Sequence, residues 1–359
     1  MNQKMPVTFH LDHEKRVPEA FQLNAEDFVP ATDIEKQELA TMRESVSYWK
    51  DGIMRFKKNK IAMVSLLVVI FMMIFAFILP YFYPYRYEHQ IRGSENLSPM
   101  EYSQTELDAK AAGESVFPHF FGTDSLGRDL MVRVMKGSSI SILVGLVAST
   151  IILLIGSTYG AIAGYFGGWA DTIMMRIIDI IYTVPDILII ILLSVTLKFP
   201  LQNLALRSGF GWISTVGVGL ISIFIVFSLL YWVGMARIVR GQVLALKELE
   251  YVTAARALGA NHGRIIRKHL LTNCIGTLIV TTTLQIPASI FTESFLSFLG
   301  LGVSAPMPSL GSLAAQAIGG INSYPHRLFV PAVMISVIIL AFNLLGDGLR
   351  DAFDPKLKN

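Results

Sequence analysis

The sequence is poor in charge, in cysteine and in the short motifs that mark phosphate or metal chemistry. Only 16% of its 359 residues are Asp, Glu, Lys or Arg, against about 25% in an ordinary soluble domain. The single cysteine, Cys274, excludes an intrachain disulfide and leaves the compartment unreadable from cysteine usage. At the head of an apolar run it reads as a small packing residue. No GxxxxGK[ST] occurs, so the chain does not cradle ATP phosphates in a P-loop. HExxH, CxxC and GxSxG are missing too, and the seven histidines are scattered. A membrane enzyme with catalytic or metal-ligating residues therefore has little support. His262 and His269, in a basic stretch, read as polar surface groups. The N-terminus has no apolar core behind its basic residues, so residues 1–45 read as a polar cytoplasmic tail and not a signal peptide.

What is abundant is long apolar sequence. Hydrophobic residues make up 53% of the chain and the mean hydropathy is +0.53. The apolar residues fall in six blocks of membrane-spanning length, near 61–79, 140–163, 173–197, 212–236, 273–299 and 328–345. The expected fold is an all-α integral membrane protein with six transmembrane helices, its transmembrane domain running over 61–355. Residues 46–60 mix Trp49, Ile53 and Phe56 with Arg55, Lys57, Lys58 and Lys60, as a helix lying at the membrane surface would. Loop charge sets the orientation. The stretch from Arg237 to Lys268 holds seven Lys/Arg, whereas that from Ser304 to Arg327 holds one. The first is expected inside with both termini, and the long loop 81–136 outside.

Within the spans a few residues stand out. Gly145, Gly156, Gly160 and Gly164 permit close helix packing in the second span. Asp186 follows Pro185 inside the third. An intramembrane acid is a functional candidate, yet a polar side chain beside a proline also mends broken backbone bonding. Both readings stay open. Glu293, in the fifth span beyond Pro287, is a second possible pathway residue.

The segment from Glu250 to Leu271 is the most polar long stretch in the second half of the chain. Its first part predicts a short helix, rich in Ala254, Ala255, Ala257 and Leu258. Glu250 lies near its start and Arg256 near its end, as the helix dipole prefers. Gly259 stands where a left-handed cap is wanted. Leu246, Leu249, Val252, Ala255 and Leu258 recur every third position, which makes no single stripe and lets the helix touch two surfaces.

AAxxLGA followed by HLL resembles the cytoplasmic EAA loop of ABC importer permeases. Ala254 and Ala255 match the two alanines, Gly259 the glycine and Leu271 the late leucine, while Thr253 and Thr272 depart from the usual acid and proline. The block FGTDSLGRDLMVRVMKGSSISI, Phe121 to Ile142, is similar to a signature of the second permease type in the oligopeptide, dipeptide and nickel group. TESFLSFLGLGV, Thr292 to Val303, and LGDGLRDAFDP, Leu345 to Pro355, resemble the same group. The resemblance implies the type I importer permease fold, with 237–272 carrying a coupling helix. In this chain the coupling residues would be Glu250, Ala254, Ala255, Arg256, Gly259 and Ala260. It implies a related permease as heterodimer partner, two ABC ATPase subunits that hold ATP and Mg, an external substrate-binding protein, and peptide cargo, with nickel or another small solute as the alternative. No cofactor is expected on this chain, and its place is a bacterial or archaeal cell membrane. Asp124, Arg128 and Asp129 read either as a capping loop before the second span or as a contact for the external protein.

Two other classes remain. Broken, glycine-rich helices and a buried acid also suit an ion-driven secondary transporter, which needs no ATPase docking loop. AARALGA as a DNA-binding turn is excluded in practice, because a loop of about 36 residues tethered to the bilayer could not reach nucleic acid.

Overall fold

The computed structural model describes residues 47–207, 209–303 and 307–353. The expected tail 1–45 and the last residues, with Lys356 and Lys358, lie outside the described residues. The chain divides into a unit Met1–Tyr48 and a unit Trp49–Asn359.

Among the described residues the regular structure is helical, with long loops at 82–103 and 112–129, and the β-type pairing is one isolated bridge between Thr123 and Asp129. In chain order the helices are α1 (Tyr48–Lys58), α2 (Lys60–Phe77), α3 (Gln104–Ala111), α4 (Leu130–Phe166), α5 (Gly168–Thr183), α6 (Asp186–Ala205), α7 (Trp212–Val216) and α8 (Val218–Leu230). Then come α9 (Trp232–Leu246), α10 (Glu250–Ala257), α11 (His262–Arg264), α12 (Ile275–Phe298), α13 (Leu310–Ala317) and α14 (His326–Phe353). Six helical stretches are long and apolar enough to cross a membrane: Lys60–Tyr81, Leu130–Phe166, Asp186–Ala205, Val218–Leu246, Ile275–Phe298 and His326–Phe353.

Four expected boundaries move, the sixth span running on from the expected 345 to Phe353. The third span, expected at 173–197, is two helices. Pro185 has no N–H and holds Val184 in extended backbone, φ −98° and ψ 136°. The helix of spanning length therefore begins at Asp186 and reaches Ala205. The second span starts ten residues before the expected 140, because the Asp129 carboxylate accepts from Val132 N–H at 2.9 Å and caps α4 at Leu130. The fourth, expected at 212–236, breaks at Gly217 and then runs on to Leu246, taking the first ten residues of the loop expected at 237–272. Its two arginines are held along the flank by acids of α5. Asp179 accepts from Arg237 at 2.9 Å, and Asp171 accepts two bonds from Arg240, the longer at 2.6 Å.

Helix α4 is the axis of the unit. Its glycines are the surface on which α9 lies. A Cβ at Gly156 would stand 2.6 Å from Met235 Cβ, and one at Gly160 would overlap the Ala236 carbonyl. Farther along α4, Ile290 of α12 comes within 2.6 Å of where a Gly145 Cβ would be. Between apolar helices in lipid this close backbone contact is what holds the pair, since burial adds little there. A second core gathers Met72 and Phe75 of α2, Met135 and Ile142 of α4, Ile290 of α12 and Phe342 of α14. Helix α1 returns to the bundle where Trp49 meets Phe353 edge-on, ring centres 5.6 Å apart.

Candidate functional site

The turn after α9 carries the predicted short helix. Glu250 opens α10, and its end is a double bond of the Schellman kind: Gly259 N–H gives to the Arg256 carbonyl at 3.0 Å and Ala260 N–H to that of Ala255 at 3.1 Å. Gly259 has φ +81°, the left-handed backbone that glycine adopts without strain. The threefold apolar pattern splits as its drift requires. Val252 is fully buried with Ile265, Leu270 and Val243, while Leu258 is 88% exposed and Leu249 46%. Ala254 and Arg256 also face outward, and Ala255 and Ala260 are half-buried. The chain returns through α11 and a π-helical turn, Ile265–Leu270. His262 is exposed, as expected of a surface group, and its Nδ1 bonds the Tyr165 hydroxyl at 2.8 Å. Arg256 lies over the same tyrosine ring, 5.8 Å from its centre. Asn273 donates to Tyr251 Oη at 3.1 Å and to the His269 carbonyl at 2.6 Å, tying the two arms of the turn.

The break between α5 and α6 forms one wall of a cavity of about 470 Å³. Tyr182, Pro185, Asp186, Tyr231, Gly234 and Gln285 line it. Asp186 is exposed, and one of its oxygens accepts from Ile187 N–H at 2.8 Å. Arg237 of α9, whose guanidinium lies over the Tyr182 ring, is engaged by Asp179 at 2.9 Å.

Glu293 does not share that cavity. It is completely buried, and its carboxylate accepts from Ser141 and Ser297 at 2.7 Å each and from Ser294 at 3.3 Å. Its carboxylate ties α12 to α4 through the Ser141 hydroxyl.

The segment before α4 is a closed network. Asp124 is 4% exposed and Asp129 1%. Asp124 accepts from Leu126 N–H at 2.8 Å, from Arg128 Nε at 2.8 Å and from Arg133. Arg133 reaches on to Gln316 Oε1 at 3.0 Å. Asp129 caps α4 and meets His119 Nδ1 at 2.7 Å, while His119 Nε2 meets Glu106 at 3.0 Å. These carboxylates are engaged within the chain, which supports the capping reading over an external contact at Asp124 and Asp129. Sequence reasoning missed Glu106 and His119: Ser103-x-x-Glu106 is a capping-box pattern that marks the start of α3, but no local pattern pairs Glu106 with His119.

His119 is fully buried between two acids. Burial lowers its affinity for a proton, but hydrogen bonds and charge from Asp129 and Glu106 outweigh it and the pKa rises above 6.5. Tyr85, stacked on the imidazole at 4.4 Å, is pushed up to about 12 by burial and the same acids, and Tyr83 is raised as well. Both phenols stay neutral donors. A raised histidine stabilises the fold fully below its unfolded pKa, and that contribution fades as pH climbs through the folded value. Hydrogen exchange of residues 104–129 should therefore show protection falling from pH 6 upward. His119→Gln should flatten that slope and weaken protection at pH 6; an unchanged slope in the variant would remove His119 as its source.

Comparison with known proteins now bears on these features. A family described as the binding-protein-dependent transport system inner membrane component matches residues 156–359. The chain belongs to this family. The N-terminal TM domain of oligopeptide transport permease C matches residues 47–99 of the same permease. The oligopeptide transport system permease protein OppC of Bacillus subtilis is 43% identical over 88% of this permease and 92% of its own length. The dipeptide transport system permease protein DppC of the same organism is 43% identical over 96% and 98%. Among solved structures, a chain of the inward-facing MetNI methionine ABC transporter is similar over 62% of this permease and 97% of its own length, with TM-score 0.45 and 19% identity. The first match begins at Gly156, the first of the glycines against α9, and takes in the break, the cavity and the α10 turn. The protein is a multi-pass membrane permease.

Proposed function

We propose that this permease is one of two related subunits that together line the path of an ATP-driven importer of peptides, and that α10 couples it to ATPase subunits inside. The observation that carries the coupling role is the division of α10 into two faces. Val252 anchors it to the bundle, while Leu258, Leu249 and Tyr251 stand exposed beside small residues. An apolar tip on a polar, basic turn fits a cleft on a partner protein. The five Lys/Arg from Lys247 to Lys268 support a cytoplasmic position for that turn, with both termini on the same side. Peptide cargo is supported by the relatives named for oligopeptide and dipeptide transport. ATP and Mg belong on the ATPases, delivery on an external binding protein, and this chain contributes path and coupling. The bacterial source of the relatives supports a bacterial cell membrane as the site, an archaeal one being the alternative.

The reading is tested in vesicles holding the whole transporter, with ATP supplied and the proton and sodium gradients collapsed. Peptide uptake should continue at its full rate and stop when ATP is withdrawn. Uptake that follows an ion gradient and ignores ATP would replace it with secondary transport.

A further inference from the structure

The cavity at the α5–α6 break contains a carboxylate, Asp186, that no described residue pairs with a cation. We propose that Asp186, with Gln285 and the carbonyls freed at the break, forms a half-site for the α-ammonium group of a peptide in transit; this rests on the peptide-import reading above. Depth is the first argument. The cavity wall includes Leu230, Tyr231 and Gly234, at the level where Gly156 packs on Trp232 and Met235. Gly156 lies ten residues before Phe166, the end of α4, or about 15 Å along the helix. Leu230, Tyr231 and Gly234 also lie inside the fourth spanning stretch, Val218–Leu246. An acid at such depth is costly unless it faces water or a cation.

The surrounding groups say which cation. Pro185 has no N–H to offer the Ile181 carbonyl, and the extended Val184 takes the chain out of α5. The last carbonyls of α5 therefore lack helix partners, and Ile181, Tyr182, Asp186 and Gln285 share the cavity wall. Tyr231 Oη is bonded to Thr292 Oγ1 at 2.8 Å, which fixes its ring against the wall. An ammonium group has three N–H donors and no acceptor, and this is a set of acceptors. A bare metal ion fits poorly, because among the described residues no three His, Cys, Asp or Glu side chains converge to hold one. The size agrees: about 470 Å³ is in the range of pockets that hold small organic ligands, and Ile181, Val184 and Leu230 give apolar wall for a peptide side chain. The competing role for Asp186 is local, as an acid in the first turn of α6 bonded to Ile187 N–H.

The experiment compares wild type, Asp186→Asn and Asp186→Glu in proteoliposomes of the complete transporter. Each is offered a peptide with a free α-amine and its N-acetylated form, both at concentrations that saturate the external protein. Asparagine keeps an oxygen for Ile187 N–H, so a local role predicts wild-type uptake. The half-site predicts that Asp186→Asn slows the free-amine peptide at least fivefold, with the subunits still co-purifying, and that Asp186→Glu recovers at least half of the rate. The acetylated peptide should be indifferent to the substitution. Wild-type uptake by Asp186→Asn, an equal loss on both peptides, or a loss that sodium concentration alone reverses would each overturn the half-site. Failure of the wild-type transporter to import either peptide would instead count against the peptide-import reading.

Discussion

Gly160→Leu should remove the permease from the membrane as a folded protein. The Cβ of any residue at 160 overlaps the backbone carbonyl of Ala236, and the adjacent Ala236 carbons lie 3.0 Å away. A backbone atom cannot turn aside by changing rotamer, so α9 as a whole must lift off α4. The displacement would also part Gly156 from Met235 and Gly164 from Arg240 and Val243. Overpacking commonly costs about 1–3 kcal/mol, and the loss of a row of contacts adds to it. Even 3 kcal/mol is a shift of roughly a hundredfold in a folding equilibrium. The measurement is the monodisperse yield and Tm of detergent-extracted protein, with Gly241→Leu as control. Gly241 lies on α9 too, but a Cβ there meets nothing within 4 Å. Loss of folded protein in Gly160→Leu with a normal Gly241→Leu is expected. Normal yield and Tm in Gly160→Leu would mean that α4 and α9 do not approach so closely.

The spans were legible because bilayer thickness fixes a length and lipid fixes a composition. What hydropathy misses is hydrogen bonding and side-chain pairing. Pro185 is visible in the sequence, yet the apolar run continues on both sides, so composition reads one span where the backbone makes two helices. Helix α9 outruns its expected end because Asp171 and Asp179 neutralise Arg240 and Arg237. Those acids are 69 and 58 residues from their partners, beyond any local pattern. Glu293 shows the same limit. A carboxylate in an apolar run signals function, but the hydroxyl of Ser141, 152 residues away, helps to satisfy it inside the packing. The α10 turn was the reverse case. Its caps, its glycine and its three-residue spacing are local chemistry, and the backbone there follows them closely.

That turn gives the last expected result, the loss of transport without loss of the protein. Gly259→Leu introduces a side chain at φ +81°, a strain of roughly 1–2 kcal/mol, yet its Cβ would meet nothing within 4 Å of this chain. The added bulk therefore projects from the turn toward whatever receives it. Leu258→Asp acts on the same contact without backbone strain, since Leu258 is 88% exposed and has a helical φ of −79°. It replaces an apolar tip with a charge that a partner's cleft would have to strip of water. Neither change touches Val252, Ile265 or Leu270, which hold the turn to the bundle. Both variants should reach the membrane in wild-type amount, and peptide capture by the external protein should be unchanged. Co-purification with the ATPase subunits and peptide uptake should fall together, each by at least tenfold for Leu258→Asp. Agreement between the two variants matters because their only common property is a changed outer surface. Full uptake by Leu258→Asp would mean that the α10 tip meets no partner. Lost uptake with intact co-purification would move its role from attachment to transmission of the ATPase stroke.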